Sequence, residues 1–315
     1  MSDHRSMDHV PVLCSRVVDL LGARSNGTVV DGTVGLGGHA EALLDAEATV
    51  RLIGVDRDRE ALKRAGERLA RFGPRAKLIH GNYRSLDRLL DRIGIDQIDG
   101  LLLDVGVSSL QLDDMRRGFS FRGDGPLDMR MDPTEGPSAA EWLATASQVE
   151  IAETLRTYGE ERYAERIARA IDEARHRQPI RMTGALAEIV HSAVPGSYRR
   201  GRIDPATRTF QAVRIRINGE LDALAEGLQV GFDRLVCGGV LVAISFHSLE
   251  DRIVKRFLLH KAADCVCPPD LPECVCGKEM EAEILTKHPE TATTAEVEAN
   301  PRSRSAKLRA ARKVV

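Results

Sequence analysis

Between residues 28 and 104, short apolar runs alternate with amphipathic stretches, and this rhythm predicts strands separated by helices. Residues 28–31 form a β-branched strand, 32–38 a glycine-rich turn and 39–46 a helix. A strand over 51–56, an amphipathic helix over 58–72 and a strand over 76–80 come next. A helix over 86–92 then leads to a fourth strand, 100–104, which is almost wholly aliphatic. Apolar strands joined through helices predict a mostly parallel sheet covered on both faces.

Beyond this point the pattern changes. From residue 111 to 207 no buried strand is predicted, and helical spacing covers 137–146, 148–158, 161–176 and 183–194. Thr183 can cap the last of these. Alternating charges over 160–177 mark a solvated helix face. The α/β pattern resumes with a long helix at 209–235, a strand at 239–245 and a helix at 249–260. Residues 264–304 read as loops with one short strand, 282–286, and residues 302–313 as a basic tail. The expected architecture is one Rossmann-like α/β domain, residues 1–110 and 208–315, interrupted by an all-helical insertion, 111–207.

With 315 residues, 43% hydrophobic and 29% charged, the chain is long enough for such a core. The formal net charge of −2 leaves any nucleic-acid contact to local basic patches, of which 198–202 and 302–313 are the richest. No run of eighteen apolar residues occurs, and residues 1–10 carry no signal-peptide core, so the expectation is a cytoplasmic protein without a membrane partner. The oligomeric state stays open, a homodimer included.

The turn Asp31-Gly32-Thr33-Val34-Gly35-Leu36-Gly37-Gly38-His39 sits between a strand and a helix. Glycines let the backbone approach a ligand, and helix N-terminal amides face an anion. Asp56, about twenty residues on at the next strand's end, suits ribose hydroxyls. The loop also satisfies the dinucleotide fingerprint, so a methyl donor, a nicotinamide cofactor and a ligand-free turn all remain open at this point. The fourth strand runs into Asp104-Val105-Gly106-Val107-Ser108-Ser109, where a carboxylate and hydroxyls suit amine chemistry; a simple turn cap is the alternative. His247, after the strand ending at Ser245, is a further catalytic candidate, although a lone His there is more often structural. Phe119 and Phe121 read as packing between domains, or as stacking on a base.

Several ordered blocks carry a family resemblance. They include 31–39, Leu103-Asp104-Val105-Gly106-Val107-Ser108-Ser109 with Gln111-Leu112-Asp113, Arg117-Gly118-Phe119-Ser120-Phe121 and 125–133. Tyr158-Gly159-Glu160-Glu161-Arg162, 208–215, Ser245-Phe246-His247-Ser248-Leu249-Glu250-Asp251-Arg252 and Asn300-Pro301-Arg302 complete them. With these blocks, and His9-Val10-Pro11-Val12-Leu13 near its start, the chain resembles the RsmH (MraW) family, the 16S rRNA cytosine-N4 methyltransferases. The resemblance implies a class I methyltransferase fold with a helical insertion for substrate recognition, S-adenosylmethionine as cofactor, and 16S rRNA in the small ribosomal subunit as partner. It also implies that Gly37, Gly38 and His39 meet the donor's methionine part, that Asp56 binds its ribose and Tyr83 packs on its adenine, and that Asp104 and Gln111 complete the set. Asp104, Ser108 and Ser109 would line the reacting amine.

Three other functions compete: a nicotinamide oxidoreductase, a catalytically idle RNA-binding or assembly factor, and a DNA amino-methyltransferase. The last is disfavoured because no Asp-Pro-Pro-Tyr stands at residue 104. Cys265-x-Cys267 and Cys274-x-Cys276 place four thiols within twelve residues. That spacing admits a structural zinc site, free thiols or redox pairing, and the family resemblance does not require it.

Overall fold

A computed structural model describes residues 11–22, 27–201, 203–268 and 273–315. His9, Val10 and Arg202 lie outside the described residues. The chain divides into two compact units, Met1–Gly106 with Leu221–Val315, and Val107–Glu220.

The first unit is built on a seven-stranded sheet. Its strands are β1 (Thr28–Asp31), β2 (Arg51–Asp56), β3 (Ala76–His80), β4 (Ile98–Asp104), β5 (Leu235–Ser245), β6 (Ala282–Ile284) and β7 (Lys307–Lys313). The order is β3-β2-β1-β4-β5-β7-β6. Strands β1 to β5 pair in parallel, and β7 runs antiparallel to both of its neighbours. Side chains alternate between two apolar cores, as the two-residue period of a strand requires. Val29, Leu52, Leu102 and Val242 join helices Cys14–Leu21 and Gly38–Ala46 in one core. Val30, Ile53, Leu101 and Leu241 join helices Leu86–Asp91, Glu220–Asp233 and Ser248–Ala262 in the other. The chain winds outward through β1, β2 and β3, then returns to the other side of β1 with β4. Ligands bind at the carboxyl ends of the strands where order reverses in this way.

The second unit packs helices Ala139–Thr145, Gln148–Gly159, Ala164–Arg175, Thr183–Ala193 and Pro205–Asn218 around Trp142, Leu155, Ile167, Leu186 and Phe210. Ser138 and Ser147 start the first two helices through reciprocal capping boxes with Glu141 and Glu150. Phe119 and Phe121 pack inside this unit's own core, with the Phe121 and Phe210 rings edge to face at 5.0 Å.

Three expectations need correction. The long helix at 209–235 is two helices, because Gly219 adopts a left-handed φ of 58° between Pro205–Asn218 and Glu220–Asp233. The first of these falls in the unit Val107–Glu220, and the second, from Leu221 on, in the α/β unit. Thr183 does not cap its helix; its hydroxyl donates to the Gly123 carbonyl and accepts from Gly125 N–H, both at 3.1 Å. Residues 307–313 are no free basic tail but an interior strand, with Arg309 Nε on Asp251 Oδ1 at 2.6 Å and Lys307 Nζ on Oδ2 at 3.1 Å.

Candidate active site

Three carboxylates end adjacent strands: Asp31 on β1, Asp56 on β2 and Asp104 on β4. The loop after β1 ties them together. Gly32 N–H donates to Leu102 O at 2.9 Å and Val34 N–H to Val55 O at 2.9 Å, so the loop is stitched to β4 and β2. Thr33 Oγ1 accepts from Asp104 N–H at 2.7 Å, while Thr33 N–H donates to Asp31 Oδ1 at 3.1 Å. Asp56 accepts from Gly35 N–H and Asp58 N–H, each at 2.8 Å. Gly37 turns the chain into helix Gly38–Ala46 with φ 80°, a conformation in which any Cβ is strained. The first-turn amides of that helix are thereby directed at the carboxyl edge of the sheet, where an anion is favoured.

His39 comes next, 6% exposed, with Nε2 3.5 Å from Asp104 Oδ2. Burial opposes its charge, but Asp104, Cys14 and Asp31 more than offset that and hold its pKa up to about 10. Burial also raises the Asp31 carboxyl to about 7, against the opposing pull of His39. Burial raises Asp56 to about 6, less than it otherwise would, because two backbone N–H groups stabilise its anion. Neither ring nitrogen of His39 nor Asp104 Oδ1 has a hydrogen-bond partner among the described residues. Buried polar atoms left in this state fit a polar ligand. Asp31 and Thr33 are site residues that the sequence pattern does not single out, although both stand in the glycine-loop block; the cross-strand hydrogen bonding that gives them a role is visible only in the fold.

Tyr83 opens a short 3₁₀ turn after β3. A Cβ at Gly227 would lie 2.3 Å from its Cδ2, so the ring rests flush on helix Glu220–Asp233. The structure thus brings Gly37, Gly38, His39, Asp56, Tyr83 and Asp104 to one edge of the α/β unit. Ser108, Ser109 and Gln111 fall in the helical unit. There Ser108 caps helix Ser109–Asp113, with Gln111 Oε1 accepting from Ser108 N–H at 3.0 Å. His247 caps helix Ser248–Ala262: Nδ1 accepts from Glu250 N–H at 3.4 Å and Nε2 lies 2.9 Å from Glu250 Oε1. These contacts place His247 at the start of that helix. The basic stretch from Tyr198 has Arg199 and Arg200 exposed, while Tyr198 stacks edge-on to Tyr163 at 4.9 Å beneath the Arg162 guanidinium.

The strand order, the reversed β7 and the acid-lined carboxyl edge define a class I S-adenosylmethionine-dependent methyltransferase. Residues 6–314 match the MraW methylase family, and the chain belongs to it. It is 50% identical over 307 residues to the "Ribosomal RNA small subunit methyltransferase H" of Syntrophotalea carbinolica, covering 97% of this chain and 98% of that one. Proteins of the same name from Symbiobacterium thermophilum (51% over 303 residues; 96% and 95% covered) and Heliobacterium modesticaldum (48% over 308; 97% and 98%) are similar throughout. Among the described residues no helix is long and apolar enough to cross a membrane.

Proposed function

We propose that the chain methylates the exocyclic N4 of one cytidine in 16S rRNA, acting in the cytoplasm on the small ribosomal subunit. The observation that carries this reading is Asp104: a strand-end carboxylate with one buried oxygen unpaired, beside a glycine loop, in a chain that matches a methylase family over 6–314.

S-adenosylmethionine supplies an electrophilic methyl on a sulfonium. In this reading the chain's own residues position it. The Gly37-Gly38 backbone and the imidazolium of His39 receive the methionine carboxylate. Asp56, ionised above about pH 6, accepts from the ribose hydroxyls. Tyr83 packs on the adenine. Cytosine N4 is a poor nucleophile because its lone pair is delocalised into the ring. Asp104 accepts a hydrogen bond from the amine, which turns the lone pair toward the methyl and takes up developing positive charge. Holding the two reactants in line supplies up to about 7–11 kcal/mol of the barrier in favourable cases. The helical unit serves as the RNA-recognition element, with Arg199 and Arg200 among the exposed cations that meet phosphate.

Labelled methyl transfer to unmodified small subunits and to naked 16S rRNA, with the nucleoside identified, tests the reading. N4-methylcytidine formed on the assembled subunit is the expected product. Transfer to another nucleoside, or none to either substrate, overturns it.

A further inference from the structure

The segment between helix Ser248–Ala262 and β6 shows no apolar core among its described residues. None of its described residues from 263 to 281 is buried, and Val266, Val275 and Met280 are exposed. Ordering a backbone costs about 1–2 kcal/mol per residue, and here no apolar burial offsets it. Yet the segment gathers four thiols. The Sγ atoms of Cys265, Cys267, Cys274 and Cys276 all lie within 4.8 Å of one another. Cys265–Cys274 measures 3.4 Å, Cys274–Cys276 3.5 Å, Cys265–Cys276 3.9 Å and Cys267–Cys274 4.0 Å. A disulfide would need about 2.05 Å. Four sulfurs placed about 2.3 Å from one tetrahedral ion stand about 3.8 Å apart, the middle of the observed range.

We infer that these four cysteines form a structural zinc site that pins the 263–281 segment to the edge of the sheet. The donor set is all sulfur, which selects zinc over magnesium or calcium, and four protein ligands leave no open position for catalysis. Backbone N–H groups already face the sulfurs: Cys267 N to Cys265 Sγ at 3.4 Å, Val266 N to Cys276 Sγ and Val275 N to Cys267 Sγ, each at 3.5 Å. Such donors stabilise and orient metal-bound thiolates. The segment's end is anchored by Glu281, whose N–H donates to Lys261 O at 2.8 Å and whose carboxylate receives Lys261 Nζ at 2.6 Å and Lys278 Nζ at 2.8 Å. Binding exchanges four S–H bonds for four Zn–S bonds and releases four protons, with no change of oxidation state. β6 is the last strand of the sheet, separated from β4 by β5 and β7, so the site stands apart from the acid-lined edge of β1, β2 and β4. It is independent of the methyl-transfer reading.

Elemental analysis of the full chain, purified without chelators from zinc-supplemented cells, tests this. One zinc per chain is expected, falling at least tenfold in the Cys274→Ser/Cys276→Ser variant and unchanged in Cys237→Ser. Cobalt substitution of the wild-type chain should give thiolate-to-metal charge-transfer bands, a readout independent of whether the variant folds. Chelator treatment should speed proteolysis within 263–281 at least tenfold. The inference is overturned by less than a tenth of an equivalent of zinc after anaerobic reconstitution, by equal zinc in the double variant, by iron in its place, or by a mass showing disulfides.

Discussion

Arg309 separates two readings of the basic C-terminal stretch: an RNA-binding arm, or an interior strand. It lies on β7 opposite Ala243 of β5, and its guanidinium meets Asp251 of helix Ser248–Ala262 at 2.6 Å. The two side chains are only 10% and 13% exposed, so solvent screens them little. Removing one member of such a pair costs about 3–5 kcal/mol. Lys307 still holds the other Asp251 oxygen at 3.1 Å, which places Arg309→Ala at the lower end, about 3 kcal/mol. Urea unfolding followed by far-UV circular dichroism reads this as a lower midpoint with an unchanged slope. A cycle with Asp251→Ala should give a coupling of about 1.5–3 kcal/mol. The hydrogen bonds from Arg309 and Lys307 outweigh burial and hold the Asp251 carboxyl below its ordinary value. Its contribution is therefore intact above about pH 4 and fades as pH falls below that, and Arg309→Ala should flatten this acid limb. RNA affinity and its salt dependence should not change. A variant that melts like the wild type, while its RNA affinity drops and its salt slope shrinks by about one, would refute the strand argument.

Asp104→Ala should lower methyl transfer by about 10²-fold or more, and should also lower the urea midpoint at pH 7, because buried His39 loses the anion that holds its proton; turnover near wild type ends its catalytic assignment. His39 holds its proton more tightly folded than unfolded, with a pKa of about 10, so its contribution is full below about pH 6.5 and is lost as pH rises through 10. Urea melts from pH 7 to 10 should show this loss, and His39→Gln should remove that slope. Donor affinity, measured calorimetrically, should weaken as pH falls below about 6 and Asp56 takes up a proton, whereas Asp56→Asn should bind weakly at every pH. Gly219→Ala places a Cβ at φ 58° and should cost about 1 kcal/mol in thermal unfolding.

The parallel half of the sheet was legible because its strands are buried on both faces and read as unbroken aliphatic runs, as in Leu101-Leu102-Leu103. The glycine loop and the acids at residues 56 and 104 were legible for a related reason: strand ends are where an apolar run meets a polar residue. β7 was not. Lys307, Arg309, Arg312 and Lys313 dominate its composition, and only the Asp251 partner explains how Arg309 is buried. Gly219 inside a helical pattern gave no sign of which side of it belonged to which unit. Thr183 has the chemistry of a cap, yet its hydroxyl answers to Gly123 and Gly125, some sixty residues away in sequence, which no local rule anticipates. His247 looked like a lone strand-end histidine; Glu250, three residues on, is the signal that it begins a helix.

The position of β7 between β5 and β6 has a consequence for biosynthesis. The helical unit is one uninterrupted stretch and can condense while the ribosome is still translating the C-terminal third of the chain. The sheet cannot. Until residue 313 has emerged, β5 and β6 have a gap between them where their shared neighbour belongs, and the acid-lined edge rests on an unfinished scaffold. Deleting residues 307–313 would therefore remove the strand that joins β6 to the rest of the sheet, and nascent chains lacking it should need chaperone help to stay soluble.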